Sequence, residues 1–124
     1  MAKWAHSDIL DAELAYITGN ATRILVCNAQ PANFVEANAT YALANNTCNA
    51  ANFGAATNNS TARYVQLNQF ANISVSANGT ASHVALVNVG GSKLLTVTTC
   101  TNQALTIGNT VTIPAHNYQA NQPT

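Results

Sequence analysis

Three histidines (His6, His83, His116), three cysteines (Cys27, Cys48, Cys100) and four carboxylates (Asp8, Asp11, Glu13, Glu36) are the side chains of this chain whose types could do chemistry. The carboxylates are badly spaced for acid–base work. Asp8, Asp11 and Glu13 crowd into one short N-terminal stretch and Glu36 stands alone, so no pair can flank a substrate as general acid and general base. The cysteines have no C-x-x-C spacing and, with widely separated histidines, make no ligand set for zinc. Their odd number rules out a complete disulfide framework, and free thiols behaving as small hydrophobes are expected. One constellation is geometrically conceivable. In a hairpin over residues 80–100, His83 lies opposite Thr98 and diagonal to Cys100, the arrangement of a base and its nucleophile. It has no third orienting group and no glycine-rich oxyanion site, so no catalytic residue is assigned and no enzymatic activity is expected.

The stretch NVGGSKLLTVTTC, Asn88 to Cys100, offers a second possibility, because two glycines before Ser92 and Lys93 hint at a phosphate loop. A Walker loop needs G-x-x-x-x-G-K-[ST] between a strand and a helix, where backbone amides and the helix N-terminus cradle the phosphates. Here one glycine is missing, Ser and Lys are in the wrong order, and the following LLTVTTC is a strand. The glycines make a turn. No dinucleotide fingerprint and no metal cluster is present, so neither cofactor nor metal is expected. N-x-[ST] triplets begin at Asn20, Asn38, Asn45, Asn58, Asn59, Asn72 and Asn78. Asn and Thr are so common that composition alone accounts for them.

Composition narrows the class. The chain has 124 residues, 48% of them hydrophobic, enough for one domain (1–124) with a core. Only 6% are charged, against roughly 25% in an average domain. Lys3, Arg23, Arg63 and Lys93 are scattered and cannot build the basic face that displaces counterions from nucleic acid, so nucleic acid is excluded as a partner. No run approaches the ~18 apolar residues of a membrane span, and Asp8, Asp11 and Glu13 interrupt any leader-like core, so synthesis in the cytoplasm is expected. A neutral, Asn/Thr/Ser/Gln-rich surface suits a protein packed among other proteins.

The elements follow from periodicity. Ser7 as N-cap, Asp8 and Asp11 in the early turns and the Gly19-Asn20 stop predict a helix over 7–19. Its stripe Leu10, Leu14, Ile17 must lie on something, either the chain's own sheet or a neighbouring subunit. From Ala21 onward the chain reads as strands: RILVCN, TYALA, ARYVQLNQF, ANISVSA and NTVTIPA, making a β-sandwich over 22–115. Residues 33–60 are Ala/Asn-rich and carry no clear pattern. Asn78-Gly79 predicts a two-residue hairpin that sets Ile73 opposite Val84 and Ala71 opposite Leu86. Gly90-Gly91 predicts another, setting Val84 opposite Val97 and Leu86 opposite Leu95. The expected core row is therefore Ile73, Val84, Val97. Residues 116–124 read as an extended tail.

The segments MAKWA, SDILDAELAYI, RILVCNAQP, TYALA and NGTASHVALVNVGGSKLLTVTTCTNQALTIGNTVTIPA resemble a family of small proteins encoded among the head genes of tailed bacteriophages and prophages. The resemblance covers most of the chain apart from residues 45–60 and the tail, and it carries no catalytic residues. It implies a capsid decoration (cement) protein of jelly-roll type: all-β, an antiparallel sandwich with one N-terminal helix, and a location on the capsid surface of a virion. The implied partners are the major capsid protein and other copies of the chain, with no membrane. Contact residues on this reading are Trp4, Leu10, Leu14, Ile17 and Tyr118, since large aromatics on chain ends often anchor interfaces. The alternatives are a carbohydrate- or receptor-binding sandwich module, which would want exposed aromatics with acids nearby, and a tail or head-completion component.

Overall fold

A computed structural model describes residues 7–59 and 62–121. Helix α1 spans Ser7–Asn20, one residue longer than the expected 7–19. The Asn20 side-chain amide donates to the Tyr16 carbonyl at 2.8 Å, and the Ala21 amide to Ile17 at 2.9 Å, closing the last turn. Leu10 and Leu14 are buried in the chain's own core and Ile17 packs against its edge. The helix thus takes the intramolecular choice. It is pinned by Arg63, whose Nε donates to Asp11 Oδ1 at 2.7 Å and whose Nη2 donates to Oδ2 at 3.0 Å. These hydrogen bonds, aided by the guanidinium charge and opposed by desolvation, hold the Asp11 carboxyl below the usual carboxylate range. A carboxyl depressed in the folded state stabilises above its unfolded pKa, and that contribution is lost as pH falls through the folded value. Asp11→Asn is therefore expected to lower stability at neutral pH and to flatten the acid side of a melting-temperature-against-pH profile. An unchanged profile would mean that the pair does not hold in solution.

Among the described residues nine strands follow: β1 (Arg23–Cys27), β2 (Ala42–Thr47), β3 (Thr57–Asn59), β4 (Ala62–Leu67), β5 (Phe70–Ser74), β6 (Gly79–Asn88), β7 (Lys93–Leu105), β8 (Thr110–Ile113) and β9 (His116–Asn121). All their pairings are antiparallel, in the orders β2-β1-β6-β7, β3-β4-β9 and β5-β8. The last two sheets are one ladder with a break. Leu67 faces His116 and, in unchanged register, Phe70 faces Ile113. Between them Pro114 has no N–H to donate. The four-stranded sheet packs one face, with Ile24, Val26, Val84 and Leu86, against Val65, Leu67, Ile73, Val111 and Ile113 of this broken ladder. On one side the layers are tied: Ala44 bridges Val75, and the Ser76 amide donates to the Leu43 carbonyl at 2.8 Å.

The opposite face of the four-stranded sheet is buried too. Leu25, Cys27, Ala85 and Val87 lie beneath Ala37 of a π-helical turn (Glu36–Thr40), with Phe34, Tyr41, Leu94 and Val97 at the margin. Burial on both faces explains why ILVC (Ile24 to Cys27) and VALV (Val84 to Val87) are unbroken apolar runs. The unpatterned middle is organised by side-chain amides rather than by hydrophobic period. Asn33 Oδ1 accepts from the Glu36 amide at 2.9 Å while Glu36 Oε1 accepts from Ala32 at 2.8 Å. Asn49 and Asn52 cap a 3-10 turn reciprocally, each accepting a backbone N–H at 2.9 Å. Such local bonds stabilise turns that no periodicity announces.

Three expectations are corrected. Asn78-Gly79 is not a hairpin turn: β5 pairs with β8, so Ile73 faces Val111 rather than Val84. The chain crosses between layers there, and Asn78 Oδ1 accepts the Ile107 amide at 2.8 Å. Gly79 serves a close approach, because a Cβ would stand 2.9 Å from Leu43 Cδ2. The β6–β7 hairpin is real and begins in the expected register, with Asn88 facing Lys93 and Val87 facing Leu94. An extra residue at Leu95 then shifts it, so Leu86 faces Thr96, and Val97 faces Ala85 on the second face. The row Ile73, Val84, Val97 therefore does not exist; the first two share the main core from opposite layers. Finally, residues 116–121 are a strand and not a tail. His116, Tyr118 and Ala120 alternate inward along β9, opposite Leu67, Val65 and Arg63.

Candidate functional site

Opposite the tied side, the layers stay apart. Among the described residues no backbone hydrogen bond joins β7 to β8 or β9, and a cleft of about 630 Å³ opens between them. Its lining includes Val26, Ala81, Val84, Val111 and Ile113, all nearly fully buried, and the more exposed Thr98, Cys100, Thr101, Gln103 and His116. No charged side chain lines it.

His116 is the best-oriented polar group at this cleft. Its Nδ1 lies 3.1 Å from the Pro114 carbonyl, which can only accept, so Nδ1 carries the proton in the neutral ring. Nε2 then accepts from the Tyr118 hydroxyl at 2.9 Å. The rings meet edge-on at 5.0 Å, and Phe53 tilts against Tyr118 from 6.4 Å. Burial pushes the Tyr118 phenol up, partly offset by the nearby Thr96 and Thr98 hydroxyls. Thr96 Oγ1 is itself buried without a hydrogen-bond partner. This hydrogen-bonded row orients side chains but has no carboxylate behind the imidazole and no activated nucleophile beside it.

Burial pushes Cys27 and Cys48 up to about 11, and raises Cys100 as well. All three are free. In native protein at mildly alkaline pH, alkylation is expected at Cys100 first, with Cys27 and Cys48 modified only after denaturant is added. Peptide mass mapping checks this, and early modification of Cys27 or Cys48 would show that its site opens readily.

His83 and Cys100 are not brought together. His83 faces Thr99 and neighbours Cys27 across the strands, on the second face of the sheet, with its Nδ1 2.8 Å from Ser82 Oγ. Cys100 packs towards the main core. The extra residue at Leu95 separates them. Cys27 is fully buried, and its thiol points to the Ala37 carbonyl at 3.7 Å.

Of the proposed contact residues, Leu10, Leu14 and Tyr118 are spent in the chain's own core, and Ile17 is half-buried against it. Leu10, Leu14 and Tyr118 thus leave little surface for a partner to contact. Trp4 lies outside the described residues. The sequence reading missed the cleft and His116. The signal was the alternation His116, Tyr118, Ala120 after Pro114, which marks a strand and not a tail.

Among the described residues, no three of His, Cys, Asp and Glu converge as a metal site, and no helix is long and apolar enough to cross a membrane. Exposed apolar side chains are scattered at Ile9, Tyr16, Val35 and Ile107. No protein-family model, curated protein or solved structure matches the chain.

Proposed function

We propose that this chain is a virion structural protein of the decoration (cement) type, which binds the outside of a tailed-phage head and bridges its major capsid protein subunits and other copies of itself. The observation that supports this reading is the cleft bordered by unpaired strands and lined without Asp, Glu, Lys or Arg. The near absence of charge supports it, since crowded copies on a shell would otherwise repel. Asp11 and Arg63, two of the few charged groups, already neutralise each other. The resemblance of β1 and of the β6–β8 segment to phage head-gene products supports a phage head as the particle. On this reading the two layers are a jelly-roll-like sandwich, and the protein is not an enzyme. The cleft has no aromatic platform, which tells against the carbohydrate-binding alternative.

The experiment is reconstitution. Heads assembled without this protein are mixed with the purified chain, pelleted and heated. Binding in stoichiometric amounts, with a higher temperature of head rupture, is the expected result. Failure to pellet with intact heads would reject the proposal.

A further inference from the structure

We propose that His116 is a proton-operated latch: when its ring takes up a second proton, the Tyr118 hydroxyl stops donating to it and donates to Thr96 instead, tying β9 to β7. The tie crosses the side of the fold where, among the described residues, no backbone hydrogen bond joins the layers. It goes beyond the structural role proposed above and does not depend on it.

The switch follows from where the protons sit. In the neutral ring Nδ1–H donates to the Pro114 carbonyl at 3.1 Å, and Nε2 accepts from the Tyr118 hydroxyl at 2.9 Å. A phenol has one proton to give, so none is left for β7. Thr96 Oγ1 accordingly stands buried without a hydrogen-bond partner, although Thr96 lies beside Tyr118. Such an orphan is uncommon in a folded protein.

A second proton on the ring reverses this order. Both nitrogens of a charged imidazole are donors. Nδ1–H keeps the Pro114 carbonyl, and Nε2–H takes the phenolic oxygen as its acceptor. The hydroxyl proton must then turn away from the ring, and Thr96 Oγ1 is the buried oxygen beside it that lacks a partner. Thr98, the other hydroxyl next to Tyr118, lines the open cleft, where water can serve it. Burial raises the phenol's own titration, so Tyr118 keeps its proton throughout. Thr96 faces Leu86 in one layer and Tyr118 faces Val65 in the other, so the new bond runs from layer to layer.

The surroundings leave His116 as the group that responds near neutral pH. Histidine side chains ordinarily change charge between about pH 5 and 8. The ring is half-buried at the cleft, so a charged imidazole stays in contact with water, and no charged side chain lines the cleft. On β7, burial keeps the Cys100 thiol neutral, and Lys93 donates to the Tyr16 hydroxyl at 3.3 Å beside the turn. Strand β8 has no titratable residue. On β4, Arg63 and Tyr64 lie opposite Ala120 and Gln119 towards the far end of β9, and Arg63 is engaged with Asp11 of α1, with Asp8 close by. Glu13 is exposed on the helix. Cys48, near Tyr118, is pushed up to about 11, and His83 of β6 lies beside Cys27 on the second face of its sheet.

The test is a double-mutant cycle on the full chain, Tyr118→Phe against Thr96→Val, read from denaturant unfolding at about pH 5 and about pH 8. Groups that titrate elsewhere are common to all four proteins and cancel. The coupling between the two hydroxyls should be about fivefold in the unfolding equilibrium constant at the lower pH and absent at the higher. The same cycle on a His116→Phe background should give that coupling at both pH values, because the hydroxyl has lost its other acceptor. Side-chain nitrogen NMR of the parent should place the neutral ring's proton on Nδ1. Equal coupling at both pH values in the parent would overturn the latch. So would coupling that still varies with pH, or is missing, without His116, and so would a neutral ring protonated on Nε2.

Discussion

Ala85→Asp is expected to leave no folded protein. Ala85 is fully buried between Leu25 on β1 and Val97 on β7, in the cluster roofed by Ala37. No polar or charged residue is fully buried among the described residues, so nothing is placed there to pair with a carboxylate. Burying an unpaired charge costs several kcal/mol after relaxation, and the added bulk costs about 1–3 kcal/mol more. Net domain stability is only about 5–15 kcal/mol. Thr99→Asp, on an exposed position of the same sheet, should change stability by about 0.5 kcal/mol or less. Soluble yield and far-ultraviolet circular dichroism check the pair. If the Ala85 variant folds and melts like the parent, the second face of the sheet is not a core.

Leu86→Ala should lower the unfolding free energy by about 2–5 kcal/mol, because it opens a cavity at a fully buried position between the layers. Val97→Ala should cost only about 1 kcal/mol, since Val97 is half-buried at the margin of the second cluster. Denaturant midpoints with unchanged m-values measure the contrast. Equal losses would place Val97 beside Val84 in the main core, and so contradict the extra residue at Leu95.

What could be read from residues alone divides along physical lines. The helix was legible, because Ser7, Asp8, the Leu10–Leu14–Ile17 stripe and Gly19-Asn20 are all local signals. Strand-like character was legible in RILVC and in the β6–β7 hairpin, where turn chemistry and period agree. Partners were not. Asn78-Gly79 is the strongest hairpin signal on the page, yet the chain turns there from one layer to the other, with Gly79 against Leu43 and Asn78 bound to Ile107. The shift at Leu95 is equally silent, because Leu94 and Leu95 are both apolar and each finds a different core. That single residue carried His83 and Cys100 to different faces and dissolved the one conceivable catalytic pair. The Ala/Asn-rich middle failed for another reason: its turns are held by Asn33, Glu36, Asn49 and Asn52 through side-chain bonds that leave no periodic trace. The cleft was invisible because it is defined by two strands that do not pair.

The central claim is that this chain works as a many-copy structural part of a phage head and not as a catalyst or a receptor reader. The most direct test is its copy number and position on purified particles, by quantitative mass spectrometry of virions together with cryo-electron microscopy of the head. The account predicts copies in the hundreds, on the outer capsid surface and in contact with the major capsid protein. A few copies confined to the tail or to one vertex, or none on the particle, would contradict it.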